Sequence, residues 1–142
     1  MNDTRITEED FARIRRSWAK AAASGELVGR IFYSNLFKLA PAAREMFPEV
    51  IDDQARKLLQ TLNWIIDHLV DQNTLVPAAQ NLAIRHVRYD VKPEHYPAVG
   101  EALIETLRQG LGDEFNDADE AAWLRVYSTL SGVMISAAYE AD

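Results

Sequence analysis

The chain has no cysteine among its 142 residues. Disulfides, thiolate metal sites, iron–sulfur clusters and a cysteine nucleophile are therefore excluded, and a reducing compartment is compatible. Glycine and proline are scarce, at six and five residues, and no Gly/Ser linker, low-complexity block or internal repeat stands out. Long apolar runs are absent as well. The best uncharged apolar stretch, Gly132 to Tyr139, falls far short of the ~20 residues of a spanning helix. The polar opening Met1-Asn2-Asp3-Thr4-Arg5 leads into no apolar leader segment. No membrane partner is expected, and the cytoplasm is the expected location. Positive charge is in deficit, with 15 Lys and Arg against 22 Asp and Glu and a net charge of −7. Such a surface repels nucleic acid, which is not expected as a partner.

Sequence signatures of common chemistries are missing too. There is no G-x-S-x-G elbow, no phosphate-cradling G-x-x-x-x-G-K-[ST] or G-x-G-x-x-G, and no H-E-x-x-H. The residues three before the three histidines are Ile65, Ala83 and Lys92, so the paired E-x-x-H motifs of a di-iron bundle are also absent.

What the chain has is helical periodicity almost throughout. Phe11, Ile14 and Trp18 form one row, and Thr7 with Asp10 resembles a capping box. After Gly25 a second helix carries Leu27 and Ile31 on one side and Phe32, Leu36 and Ala40 on another, so it is buried over a wide arc. Pro41 suits the first turn of a short helix that Pro48 closes. Ile51, Gln54, Leu58, Leu62, Ile65 and Leu69 make a clean 3–4 repeat. Asp71-Gln72-Asn73 reads as a loop, followed by a helix from near Pro77 with Leu75, Ala79, Leu82 and His86 in one row. A helix opening at Lys92-Pro93-Glu94 carries Tyr96, Val99, Leu103 and Leu107 and ends at Gly110 and Gly112. The last helix, capped by Asn116 or Asp117, carries Trp123, Tyr127, Leu130, Met134 and Ala137. No strand with period-2 alternation competes. One all-α domain over residues 1–142 follows, with unequal helices rather than a symmetric bundle. The basic residues Arg13, Arg15, Arg16 and Lys20 read as an exposed helix face.

Two apolar rows hold one polar member each, Gln54 and His86. The plain reading is that both helices end there, at the rim. His68 and His95 read as exposed helix ends. The sharper reading uses the fact that haem iron, already held by four porphyrin nitrogens, needs only one axial imidazole. An inward His86 meets that need, with Phe47, Phe32, Leu58 and Leu103 available as flat and aliphatic walls.

Several segments resemble a known family. Ile31-Phe32-Tyr33-Ser34-Asn35-Leu36-Phe37, the stretch from Arg85-His86 through Lys92-Pro93-Glu94-His95-Tyr96-Pro97-Ala98-Val99-Gly100, and Ala122-Trp123-Leu124-Arg125-Val126-Tyr127 are similar to bacterial globins. The resemblance is to the globin domain of flavohaemoglobins and to single-domain bacterial haemoglobins. It covers nearly the whole chain, with a shortened segment between Phe47 and Gln54. It implies a globin fold of six to eight helices around haem b (iron protoporphyrin IX). It implies His86 as the iron ligand, Phe47 as the ring wedged on the porphyrin, Tyr33 and Gln54 on the distal side, and Leu58 above the distal pocket. Tyr96, with Leu103 on the same row, would lie near the proximal histidine. The ligands implied are O2, NO and CO. Reversible O2 binding for storage or transport is the leading expectation. The alternatives are oxidation of NO to nitrate with an external reductase, since the sequence holds no reductase domain, or a sensor acting on a partner. The family's proximal glutamate is replaced by Ala138, and Glu140 lies about 200° further round the helix. The hydrogen bonding that would make the imidazole more basic is thus incomplete.

Overall fold

The computed structural model describes residues 6–47, 50–88 and 95–139. The side chains of Glu26, Met46, Gln72, His86, Val87, Arg88, Ala138 and Tyr139 fall outside that description. Among the described residues six α-helices follow one another: α1 Glu8–Ala22, α2 Glu26–Leu39, α3 Asp52–Asp67, α4 Gln72–Arg88, α5 Tyr96–Leu111 and α6 Asp117–Tyr139. Short 3-10 turns at Pro41–Met46 and Gly112–Glu114 join two of the pairs. No strand occurs among the described residues, and no helix among them is long and apolar enough to cross a membrane.

The helix starts follow local chemistry. The Thr7 side chain accepts from the Asp10 amide at 3.1 Å, and the Asp10 carboxylate accepts from the Thr7 amide at 3.1 Å, which closes the expected capping box of α1. Asn116 and Asp119 repeat the arrangement at the start of α6. Gly25 separates α1 from α2 with φ of 63°, a conformation that costs glycine little. The helix expected near Pro77 begins earlier, at Gln72, because Asp71 accepts from the Thr74 amide and caps it. Pro77 is then inside α4. Gly110 likewise lies within α5, and it is Gly112 that ends it. The expected start of α5 at Lys92-Pro93-Glu94 and the stop at Pro48 lie outside the described residues.

Packing is pairwise and crossed. α2 lies against α3 and α5, α4 against α6, and α1 against α5 and α6. Added to Gly29, a Cβ would sit 2.7 Å from the Cβ and carbonyl oxygen of Ala55, so α2 and α3 touch backbone to backbone there. The core centres on Ile14, Phe32, Leu36, Ala102 and Leu107, with Trp18 and Trp123 side by side. Leu27, assigned to a buried row by its spacing, is 52% exposed. The buried arc of α2 instead runs over Val28, Phe32, Tyr33, Asn35 and Leu36, which is the face its two neighbours share. Three members of the basic row on α1 are bound within the molecule. Arg13 and Arg16 reach Asp119 at 3.1 and 3.6 Å, and Lys20 reaches Glu114 at 3.4 Å.

Candidate functional site

A cavity of about 280 Å3 opens between α3 on one side and α4, α5 and α6 on the other. Its walls follow from helical rows. α3 contributes Gln54, Leu58, Leu62 and Ile65, and Leu69 follows just past its end, so almost the whole repeat read from the sequence is present. α4 contributes Leu82, and α5 contributes Tyr96, Val99 and Leu103. Phe32 and Tyr33 from α2 line it as well. At its inner end stand Ile14 of α1 and Trp123 and Val126 of α6. Most of this surface is apolar, so water gains little by filling it and an apolar guest gains much.

Tyr33, Gln54, Leu58, Tyr96 and Leu103 line one cavity. Phe47 stands behind that wall. Its ring lies 5.2 Å from Tyr33, edge on, and 5.7 Å from Phe37, so it buttresses the tyrosine. α4 carries the His86 backbone on the row of Leu75, Ala79 and Leu82, but the His86 side chain lies outside the described residues. His68 is at the end of α3, stacked on Trp64 at 4.1 Å, and His95 precedes α5. No group of three potential metal-binding side chains occurs among the described residues.

The polar groups on the wall are few. Tyr33 is buried, and burial pushes its hydroxyl pKa up to about 12. It therefore stays protonated near neutrality and can donate. Neither Tyr33 nor Gln54 bonds another described side chain or backbone group. Both are thus free to face a guest.

Sequence reasoning placed Tyr127 only in the row of the last helix and missed its contact. Its hydroxyl donates to the Tyr96 carbonyl at 2.5 Å, and its ring rests where a Cβ on Gly100 would intrude, at 2.6 Å. Desolvation raises the Tyr127 pKa, which keeps this donor protonated. The bond ties α6 to the first turn of α5 and holds Tyr96 in the wall. The signal was a glycine four residues after Tyr96, inside a helix, where it costs stability unless something needs the space.

Unequal helices in crossed pairs, packed around a mostly apolar cavity with a tyrosine and a glutamine on its wall, define the class of this fold. The comparisons with known proteins make it specific. The globin family model matches residues 30–134. A flavohemoprotein of Halalkalibacterium halodurans is 26% identical over 95% of this chain and 34% of its own length. Neuroglobin-2 of Oncorhynchus mykiss is 28% identical over 92% of this chain and 91% of itself. The globin-2 A chain of Anadara inaequivalvis is 29% identical, covering 87% and 89%. The chain belongs to the globin family. It spans about a third of the length of the flavohemoproteins it matches.

Proposed function

We propose that this globin binds haem b in the cavity between α3 and the α4–α5 side, with His86 as the iron ligand, and that it reversibly binds O2 and related diatomic gases such as NO and CO. Residues 1–142 are taken as one globin domain. The observation that carries the reading is the cavity itself. Its walls are mostly apolar, and on α2 and α3 they offer a hydroxyl and an amide that no group among the described residues uses. A planar, largely apolar group suits such walls. Haem, when bound, supplies an iron centre that takes a diatomic gas.

The chain's own residues then have separable roles. His86, on the α4 row with Leu82, holds the iron from one side. Tyr33 donates a hydrogen bond toward the gas site, kept protonated by its burial and held by Phe47 and Phe37. Gln54 is a second donor one turn before Leu58, and Leu58 keeps water out of the space between them. Tyr96, fixed by Tyr127, shapes the wall on the α5 side. A hydrogen bond to a charged acceptor is worth roughly 1.5–3 kcal/mol, or about 10- to 150-fold in affinity. Tyr33→Phe should therefore release O2 about 10- to 150-fold faster by stopped flow. An unchanged off-rate removes Tyr33 from this role. The reading as a whole is tested by absorption spectra of the purified protein in ferric, ferrous and ferrous–CO forms, beside His86→Ala. An axial-ligand signature lost in that variant supports the assignment, and identical spectra reject it.

The flavohemoprotein relatives favour one second reading, consumption of NO with electrons from a separate reductase. Multiple-turnover NO loss that depends on added reductase supports it, and a single stoichiometric turnover rejects it. A signalling role has no specific observation in its favour.

A further inference from the structure

Trp123 of α6 stands on the inner wall of the cavity. Trp18 of α1 packs beside it, with ring centroids 6.3 Å apart and planes tilted by 59°. Both indoles are buried, and both N–H groups are committed. Trp123 Nε1 donates to Ser17 Oγ at 2.8 Å, and the Ser17 hydroxyl in turn donates to the Arg13 carbonyl at 2.7 Å. Trp18 Nε1 donates to Asn63 Oδ1 at 2.6 Å, and Asn63 of α3 is exposed. Two neighbouring indoles thus lead from the cavity wall to the surface where α1 meets α3. The third tryptophan, Trp64, is exposed, stacks on His68 and does not line the cavity.

We propose that Trp123 and Trp18 form a one-electron relay that carries oxidising equivalents out of the cavity when the haem-loaded protein meets hydrogen peroxide. This rests on the haem reading above. The O–O bond of peroxide breaks, and two electrons with two protons from solvent turn it into two waters. One electron comes from the haem iron. Trp123 gives the other, which leaves a radical cation on its indole. Trp18 then refills Trp123, so the missing electron is now that of Trp18. A small donor in solution, such as ascorbate, returns one electron to Trp18 and one to the iron and is itself oxidised by two. The indoles suit this step better than the phenols of the wall. A phenol gives up its proton as it gives up an electron. Tyr33 has no acceptor for that proton among the described residues, and Tyr127 donates to a carbonyl, which is no base. An indole keeps its N–H as a radical cation. Ser17 Oγ and Asn63 Oδ1 set a lone pair against each N–H, and each ring is an aromatic neighbour for positive charge on the other.

The test uses the whole haem-loaded chain as wild type, Trp123→Phe and Trp18→Phe, each mixed with hydrogen peroxide and frozen for electron paramagnetic resonance. The expected wild-type signal is a radical whose lines narrow when ring-deuterated tryptophan is incorporated and stay unchanged with ring-deuterated tyrosine. Oxidised positions are then mapped by peptide mass spectrometry. Wild type should gain oxygen at Trp18. Trp123→Phe should lose that product, and Trp18→Phe should shift it to Trp123. Ascorbate should remove both the radical and the oxygenated product. A wild-type radical that follows tyrosine deuteration overturns the proposal, as does oxidation of Trp18 that is unchanged in Trp123→Phe. Oxidation at Trp64 alone, equal in all three proteins, overturns it too, because it marks a diffusing oxidant. The isotope result needs no variant to fold, and phenylalanine keeps an aromatic ring at each site. Wild type that takes up no haem overturns the haem reading and this inference with it. Haem uptake without an indole radical overturns only the relay.

Discussion

Where α1 meets α6, polar groups are spent on the protein itself, whereas along the cavity wall they are left over. Asp10 closes the capping box of α1 and takes two hydrogen bonds from Arg125 of α6, at 2.6 and 3.0 Å. Asp119 closes the box of α6 and pairs with Arg13 of α1. Each helix thus uses the aspartate of its own first turn to hold an arginine of the other. On the wall, Tyr33, Gln54 and Lys57 have no such partners among the described residues. α2 shows both habits two residues apart. Buried Asn35 donates to Thr106 at 3.0 Å, while buried Tyr33 donates to nothing described. A polar group that completes a fold finds its partner within the fold. One that serves a guest is held in place by packing alone.

Stability measurements break or sharpen this contrast. The largest effect should come from Asn35→Ala. Thr106 keeps its bond to the Ala102 carbonyl but loses its donor, and the α2–α5 contact loses volume. A loss of about 1–3 kcal/mol in urea unfolding is expected. A loss within error would mean that the paired polar groups are no more structural than the free ones.

Arg125→Ala should cost less, about 1 kcal/mol, because the guanidinium is partly open to water. Its signature is pH dependence. Arg125 holds the Asp10 carboxyl below its ordinary value of 3.8 against the opposing cost of desolvation, and Thr7 adds to the lowering. A folded-state pKa below the unfolded one stabilises fully above that ordinary value, and the contribution is lost as pH falls through the folded-state value. The wild-type urea midpoint should therefore drop on acidification below about 3.8, and Arg125→Ala should drop less. Parallel acid limbs in the two proteins would show that the clasp carries no linked proton.

The sequence exposed some of this and hid the rest for physical reasons. Rows such as Leu58, Leu62, Ile65 and Leu69 were legible because one side of α3 faces the cavity along its length and the segment just past it continues the row. The capping box of α1 was legible because it is local, three residues wide. The start of α4 was misread because Asp71-Gln72-Asn73 suits a loop and a helix cap equally, and Pro77 looked like a beginning. Leu27 was misassigned because periodicity gives the spacing of a face but not which neighbour covers it. Tyr33, Gln54, Leu58, Tyr96 and Leu103, named as candidates through family resemblance, line one cavity. The contact of Tyr127 with Tyr96 escaped because it depends on another helix and is not local in sequence.

The smallest expected effect tests the contrast most directly. Tyr33→Phe removes a buried hydroxyl but keeps the ring that packs on Phe32, Phe37 and Phe47. If no protein group uses that hydroxyl, the folded state loses no internal bond, and unfolding of the haem-free protein should change by no more than about 0.5 kcal/mol in either direction. The same substitution in the haem-loaded protein should still speed O2 release. An intact fold with altered gas release marks a group held in reserve for a ligand. A loss of stability like that of Asn35→Ala would mean that Tyr33 is bonded within the fold, and the distal role would then have to pass to Gln54 alone.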